Sequence, residues 1–239
     1  MESLSWPISR PWREDMRDIG WLVGVGLGAG TLVGYLIVGP LGRLLMFLLR
    51  RTSPDVVLGV TSDDGFTIGQ VTRETFTLLV ITGLVGALGG LGYACLRTAI
   101  SGRSTRVGLW TTLCGTLGGA VIIHQGGVDF TLLTPTPLAI GGFIALPAVG
   151  GLATAMLIER WSPMPPTRRP RTVAIPAIGV LALPAVGVAA AVAGLWFVGT
   201  RHRGGRMLTV VIRFALPILA GLVIVVATID LVRDIVSLT

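Results

Sequence analysis

Uninterrupted apolar stretches of membrane length constrain this chain more than any other feature. Crossing the hydrocarbon core of a bilayer takes about 20 apolar residues at a rise of about 1.5 Å each. Six stretches meet that measure, over 19–40, 74–96, 107–123, 137–158, 173–198 and 207–229. An interfacial segment over 41–51 prolongs the first, the third is short, and the fifth carries Pro176 and Pro184. Proline is tolerated in membrane helices where neighbours satisfy the freed carbonyl, usually with a kink. Only 13% of the residues are charged, about half the share usual in soluble domains, so lipid is the natural solvent. A transmembrane barrel needs strands of alternating polarity, whereas a run such as 219–229 is apolar on every face. The expected fold is therefore all-α, a polytopic membrane bundle of about six transmembrane helices. It forms one membrane domain over 19–239, preceded by an interfacial arm over 1–18. That arm is polar, with Glu2, Glu14, Asp15 and Asp18, so no cleavable leader is expected.

Glycine says how such helices pack. The chain has 34 glycines. Gly26, Gly30 and Gly34 recur every fourth residue in the first stretch, Gly86 and Gly90 in the second, and Gly115 and Gly119 in the third. On a helix these spacings make smooth stripes where backbones approach closely, which is how membrane helices associate without a hydrophobic driving force. The stripes predict a compact bundle centred on the first three helices, or contact with a second copy of the chain. Gly24-Val25-Gly26-Leu27-Gly28-Ala29 also fits a dinucleotide-binding pattern. It follows no strand and lacks the acidic partner about 20 residues on, so it belongs to packing. Cys95 and Cys114 form no CxxC pair and read as small packing residues.

Charge gives orientation. Every basic residue is Arg, and neither Lys nor Asn occurs, which fits a high-GC bacterial genome. The net charge of +7 sits in short loops, the pattern of a cytoplasmic membrane face rather than of nucleic-acid binding. Arg97, Arg103 and Arg106, then Arg160, Arg168, Arg169 and Arg171, flank a basic-free connection around Val128. Six crossings then place both termini in the cytoplasm of a plasma-membrane protein. Arg201, Arg203 and Arg206 violate that arrangement. A re-entrant fifth segment would bring them inside and reverse the C-terminus. Trp21, Trp110, Trp161 and Trp196 lie near stretch ends, where indoles prefer the interface.

The candidate chemistry lies in two connections. Over 56–71 two β-branched runs flank Asp63-Asp64-Gly65, the signal for a small extramembrane β-hairpin. His124 and Asp129 follow the third stretch. Asp63, Asp64, His124 and Asp129 would together form a polar site, neutralised by Arg50, Arg73 or a divalent cation. Alternatively the aspartates shape the turn and His124 caps a helix. No HExxH, GxSxG or phosphate loop is present, no catalytic residue is assigned, and no cofactor is expected. Gly42-Arg43-Leu44-Leu45-Met46, Thr52-Ser53-Pro54-Asp55, Asp63-Asp64-Gly65-Phe66-Thr67-Ile68-Gly69 and Gly127-Val128-Asp129-Phe130 resemble stretches of uncharacterised multi-pass membrane proteins of actinobacteria. The resemblance covers about the first two-thirds of the chain. It implies a plasma-membrane location and no known activity. Three classes stay open: a scaffold or partner-binding subunit, a small transporter or channel, and a membrane-embedded enzyme using the outer polar residues. The partners implied are the bilayer and another membrane subunit or a second copy, with no nucleic acid.

Overall fold

The computed structural model describes residues 12–54, 59–60, 73–123, 130, 132–163 and 205–238, without the side chains of 12–16, 73–74 and 205–214. Helix α1 (Trp12–Val33) passes through a π-helical turn (Gly34–Val38) into α2 (Gly39–Thr52). Then follow α3 (Arg73–Ala99), α4 (Arg103–Ile122), α5 (Thr136–Trp161) and α6 (Gly205–Leu238). Four of these helical rods are long and apolar enough to cross a membrane: the continuous rod Arg17–Thr52, Thr75–Ala99, Thr136–Trp161 and Ala215–Leu238. The protein is thus a helical membrane protein.

The expectation of about six transmembrane helices with a β-hairpin is corrected by these elements. Among the described residues there are five helical rods, four of them apolar enough to span, and no strand. α4 falls short because Arg103 and Arg106 fill its first turn and Thr111, Thr112 and Thr116 dilute the remainder. The expected span over 173–198 lies outside the described residues. Most of the segment 56–71 does too, and Gly59 and Val60, which are described, form no strand. An Asp-Gly turn signal is local, whereas a two-stranded hairpin without a sheet to join is marginally stable at best.

The first span is also longer than its apolar run suggests. Pro40 has no N–H and its ring crowds the carbonyl one turn back, so it ordinarily breaks a helix. Here the Gly39 N–H bonds to the Gly34 carbonyl, widening the turn just before the proline. The helix therefore continues to Thr52, and the segment over 41–51 prolongs the first span as one rod.

Packing rests on backbone contact. A Cβ built on Gly30 would run into the Gly86 carbonyl, and one on Gly90 into the Gly26 carbonyl. Gly34 lies equally close to the Thr82 carbonyl. The α1 and α3 stripes therefore meet face to face, antiparallel and within the chain. A second seam joins α4 to α5. A Cβ on Gly115 would lie 3.1 Å from the Ala148 Cβ, and one on Gly118 would strike the Pro147 ring. The proline that interrupts α5 thus sits over a glycine of α4.

Two apolar clusters mark the ends of the bundle. One holds Val25, Tyr93, Leu96, Trp110 and Ile158, with Trp21, Trp161 and Leu216 packed against it. The other holds Leu49, Ile123, Phe130, Leu133, Phe143 and Leu231. Hence α1, α4 and α6 run from the Trp21 end to the Leu49 end, while α3 and α5 run back. α5 finishes and α6 starts at the same end, so the chain's first and last described helices point their termini to opposite faces.

Between these ends the outward surface is apolar. Leu36, Phe76, Val85, Val121, Ile218, Leu222 and Val236 are exposed large hydrophobics, an arrangement that water would not support. Charged side chains are absent between Asp18 and Arg43, between Glu74 and Arg97, and between Arg213 and Asp230. The molecule is an uncharged slab between two charged rims. Asp230 and Arg233, close in sequence at the Leu49 end, are both exposed.

Two measurements check this architecture. Gly30→Ala should lower the melting temperature in detergent by an amount equivalent to about 1–3 kcal/mol, the usual cost of overpacking, while Leu222→Ala on the exposed face should leave it unchanged. Single cysteines at Ser162 and Leu238, in a background lacking Cys95 and Cys114, should react oppositely with an impermeant maleimide on intact cells. Equal labelling of both positions would contradict the helix directions.

Candidate functional site

The best-defined polar constellation joins three helices at the Trp21 end. α3 ends at Ala99, and Gly102, with φ of 96°, turns the chain into α4. That left-handed backbone is open to glycine at little cost, and it brings the first turn of α4 back over the end of α3. Arg106 then donates from Nη1 to the Ile100 carbonyl at 3.1 Å, supplying a partner at a helix terminus where carbonyls lack one.

The same guanidinium reaches α5. Arg106 donates from Nε at 3.0 Å and from Nη2 at 2.9 Å to Oε1 of Glu159. The Tyr93 hydroxyl, from α3, donates to that oxygen at 2.9 Å. Arg97 Nε lies 3.3 Å away, close enough for an ion pair, yet without hydrogen-bond geometry. The Glu159 side chain is 6% exposed, Arg106 13% and Arg97 28%. One carboxylate thus faces two guanidiniums and a phenol.

Local packing fixes this geometry. Trp110 stacks edge-on against Tyr93, with ring centroids 5.9 Å apart. Its indole fits because residue 92 is glycine: a Cβ there would lie 2.7 Å from the ring. Glu159 occupies the last turn of α5, where the helix dipole disfavours an anion. Two Arg side chains make it tolerable. Breaking a buried pair by removing one partner is expensive because the other charge is left uncompensated.

A smaller clasp closes the opposite end. Ser53 Oγ donates to the Leu49 carbonyl at 2.7 Å and accepts from the Thr134 N–H at 2.8 Å. Thr134 Oγ1 in turn donates to the Thr52 carbonyl at 3.2 Å, tying the end of α2 to the residues that lead into α5. Arg43 reaches the Thr75 hydroxyl, linking α2 to the start of α3.

The residues expected to form an outer polar site, Asp63, Asp64, His124 and Asp129, lie outside the described residues, so their convergence is not described. Of the glycines singled out for packing, all seven lie in described helices, and Gly119 faces Ile144 of α5 and Leu231 of α6. Among the described residues no group of three or more His, Cys, Asp or Glu could hold a metal ion. Cys95 and Cys114 are free thiols, and Cys114 fills the space beside Gly151.

Sequence reading missed the Glu159 site because it ended the fourth stretch at residue 158. Arg97 and Arg106 were then loop charges, and Glu159 was a residue beyond the span. A signal existed. Glu159 is the sole acidic residue between Asp129 and Asp230, and it directly continues an apolar run. No family model, curated protein or solved structure matches the chain.

A double-mutant cycle tests the constellation. Glu159→Gln should destabilise the protein by about 3–5 kcal/mol, the usual cost of unpairing a buried charge. Tyr93→Phe should cost about 1.5–3 kcal/mol, as for hydrogen bonds to charged groups. The double mutant should lose clearly less than the sum, because Glu159→Gln removes the charge that strengthens the bond Tyr93 donates. Simple additivity would show that the tyrosine acts through packing alone.

Proposed function

We propose that this membrane protein serves as a scaffold or partner-binding subunit, a rigid helix bundle that presents its outer faces to another membrane component. One observation carries the reading. The described interior is closed by backbone contact between helices and locked at one end by a neutralised carboxylate, with charged side chains confined to the two rims. Transporters and channels place polar residues or discontinuous helices near the bilayer midplane, where a substrate binds and helices rock. The π-turn before Pro40 is the one irregularity of that kind in the first rod, and it keeps the rod continuous. What remains for interaction is surface. α6 leaves Ile218, Leu222, Val225, Ile229 and Val236 outward.

The Trp21 end is read as cytoplasmic. Arg13 and Arg17 lie in the first two turns of α1, with Arg10 just ahead of them in sequence, Arg97, Arg103 and Arg106 surround the α3–α4 turn, and Arg160 closes α5. Arg201, Arg203 and Arg206 precede or open α6, which starts at the same end. The loop that violated the charge rule under six crossings therefore supports it once α6 runs parallel to α4. The N-terminus then faces the cytoplasm and the C-terminus the outside. The likeness to actinobacterial multi-pass proteins favours the plasma membrane.

A photo-reactive amino acid at Leu222, on the outward face of α6, tests the partner reading in native membranes. The expected result is one discrete cross-linked protein adduct, lost when the probe is moved to the buried position Ala227. Labelling of lipid alone at Leu222 would count against a partner on this face.

A further inference from the structure

We propose that the Trp21 end holds an anionic phospholipid, its headgroup bound between Arg103 and Arg160 and its acyl chains laid along α5. The starting point is a charge imbalance. Glu159 is engaged by Arg106, Arg97 and Tyr93, so the buried trio of one carboxylate and two guanidiniums retains a positive charge. Arg103, one turn before Arg106 on α4, and Arg160, next to Glu159 on α5, are both exposed. Neither takes part in an ion pair or hydrogen bond among the described residues. Apart from Glu159, the acidic side chain described at this end is Asp18, which has interactions of its own. Two exposed guanidinium groups thus flank a helix junction whose local acid is already paired.

The surroundings select a lipid rather than a soluble anion. Trp21, Trp110 and Trp161 pack at this level, the depth indoles adopt beside headgroups. Directly below Arg160, Met156 and Val149 are exposed on the same face of α5, at helical spacings of four and seven residues. A cation therefore caps an apolar stripe, the complement of a phosphate joined to acyl chains. Basic pockets between transmembrane helices on the cytoplasmic side bind acidic headgroups in this manner, and Arg suits phosphate because its planar fork can donate two parallel bonds. The exposed Ser101 and Ser104, flanking Gly102 and Arg103, add hydroxyl donors at the rim.

The test is thermal unfolding of the full-length protein in neutral detergent with added phosphatidylglycerol, phosphatidylcholine or inorganic phosphate. Phosphatidylglycerol should raise the midpoint by about 4 °C, a shift typical of one ligand binding the native state well above its dissociation constant. Phosphatidylcholine and inorganic phosphate should leave it unmoved. The double variant Arg103→Gln/Arg160→Gln should lose the shift measured against its own lipid-free midpoint, whereas Arg233→Gln at the opposite rim should retain it. An equal response to phosphatidylcholine would reduce the site to an apolar groove. An equal response to inorganic phosphate would make it a site for a free anion. Either result, or an undiminished shift in the double variant, overturns the proposal.

Discussion

Close approach of two peptide backbones, Gly26–Gly30–Gly34 against Gly90–Gly86–Thr82, is the contact on which the rest of the bundle depends. Lipid is as apolar as leucine, so burying a leucine between membrane helices gains little over leaving it in the bilayer. Association must come from van der Waals contact and from polar groups that lipid cannot satisfy. Glycine serves the first purpose because carbonyl oxygens fit where a Cβ would stand. It also sets the antiparallel register of α1 and α3, since the carbonyls of each stripe lie over the glycines of the other. With that pair fixed, Val25 and Ala29 on another face of α1 join Ala155 and Ile158 of α5 in one cluster. The seam of α4 on α5 then completes a core built mostly from small residues.

Glu159 serves the second purpose. The glycine seam registers α1 on α3 but leaves the height of α3 relative to α4 and α5 unset. A carboxylate met by Arg106 from α4, and by Arg97 and Tyr93 from α3, fixes the heights of three helices relative to one another. Its place at the membrane edge also limits the cost of charge. The Arg97 side chain is partly exposed although its Nε is buried, so the cluster is not fully desolvated. At the other rim the Ser53–Thr134 clasp does a similar job with uncharged groups. The two rims thus differ chemically. One is rich in arginine and tryptophan and built on an ion pair; the other is tied by hydroxyl–backbone bonds.

That asymmetry bears on the proposed function, in which the outer surfaces of the described bundle act. Long exposed apolar faces on α2, α3 and α6 can be covered by lipid or by another helix. The arginine rim can meet the acidic groups of a leaflet. On the orientation and lipid-site proposals, the same charges orient the protein and anchor a phospholipid to it.

The sequence determined the class of structure and much of its packing chemistry. Apolar runs of membrane length, scarce charge and four-residue glycine spacing are local patterns whose meaning in lipid is nearly independent of context. They locate α3, α4 and α5 to within a few residues, whereas the first and last rods run well past their apolar runs. Hydropathy weighs each segment alone, so it counted 107–123 as apolar enough to span, which α4 is not, and it could not show that a π-turn carries the first rod past Pro40. Local turn chemistry likewise suggested a hairpin over 56–71, which no described strand supports. Tertiary structure decided the direction of α6, and with it the end of the bundle at which that helix begins. It also decided that Arg97, Arg106, Tyr93 and Glu159 meet. These residues span 66 positions from Tyr93 to Glu159, and no periodicity links them. Their convergence follows only once glycine-tight packing has aligned α3, α4 and α5, because a charge can be buried only where its partner is already held.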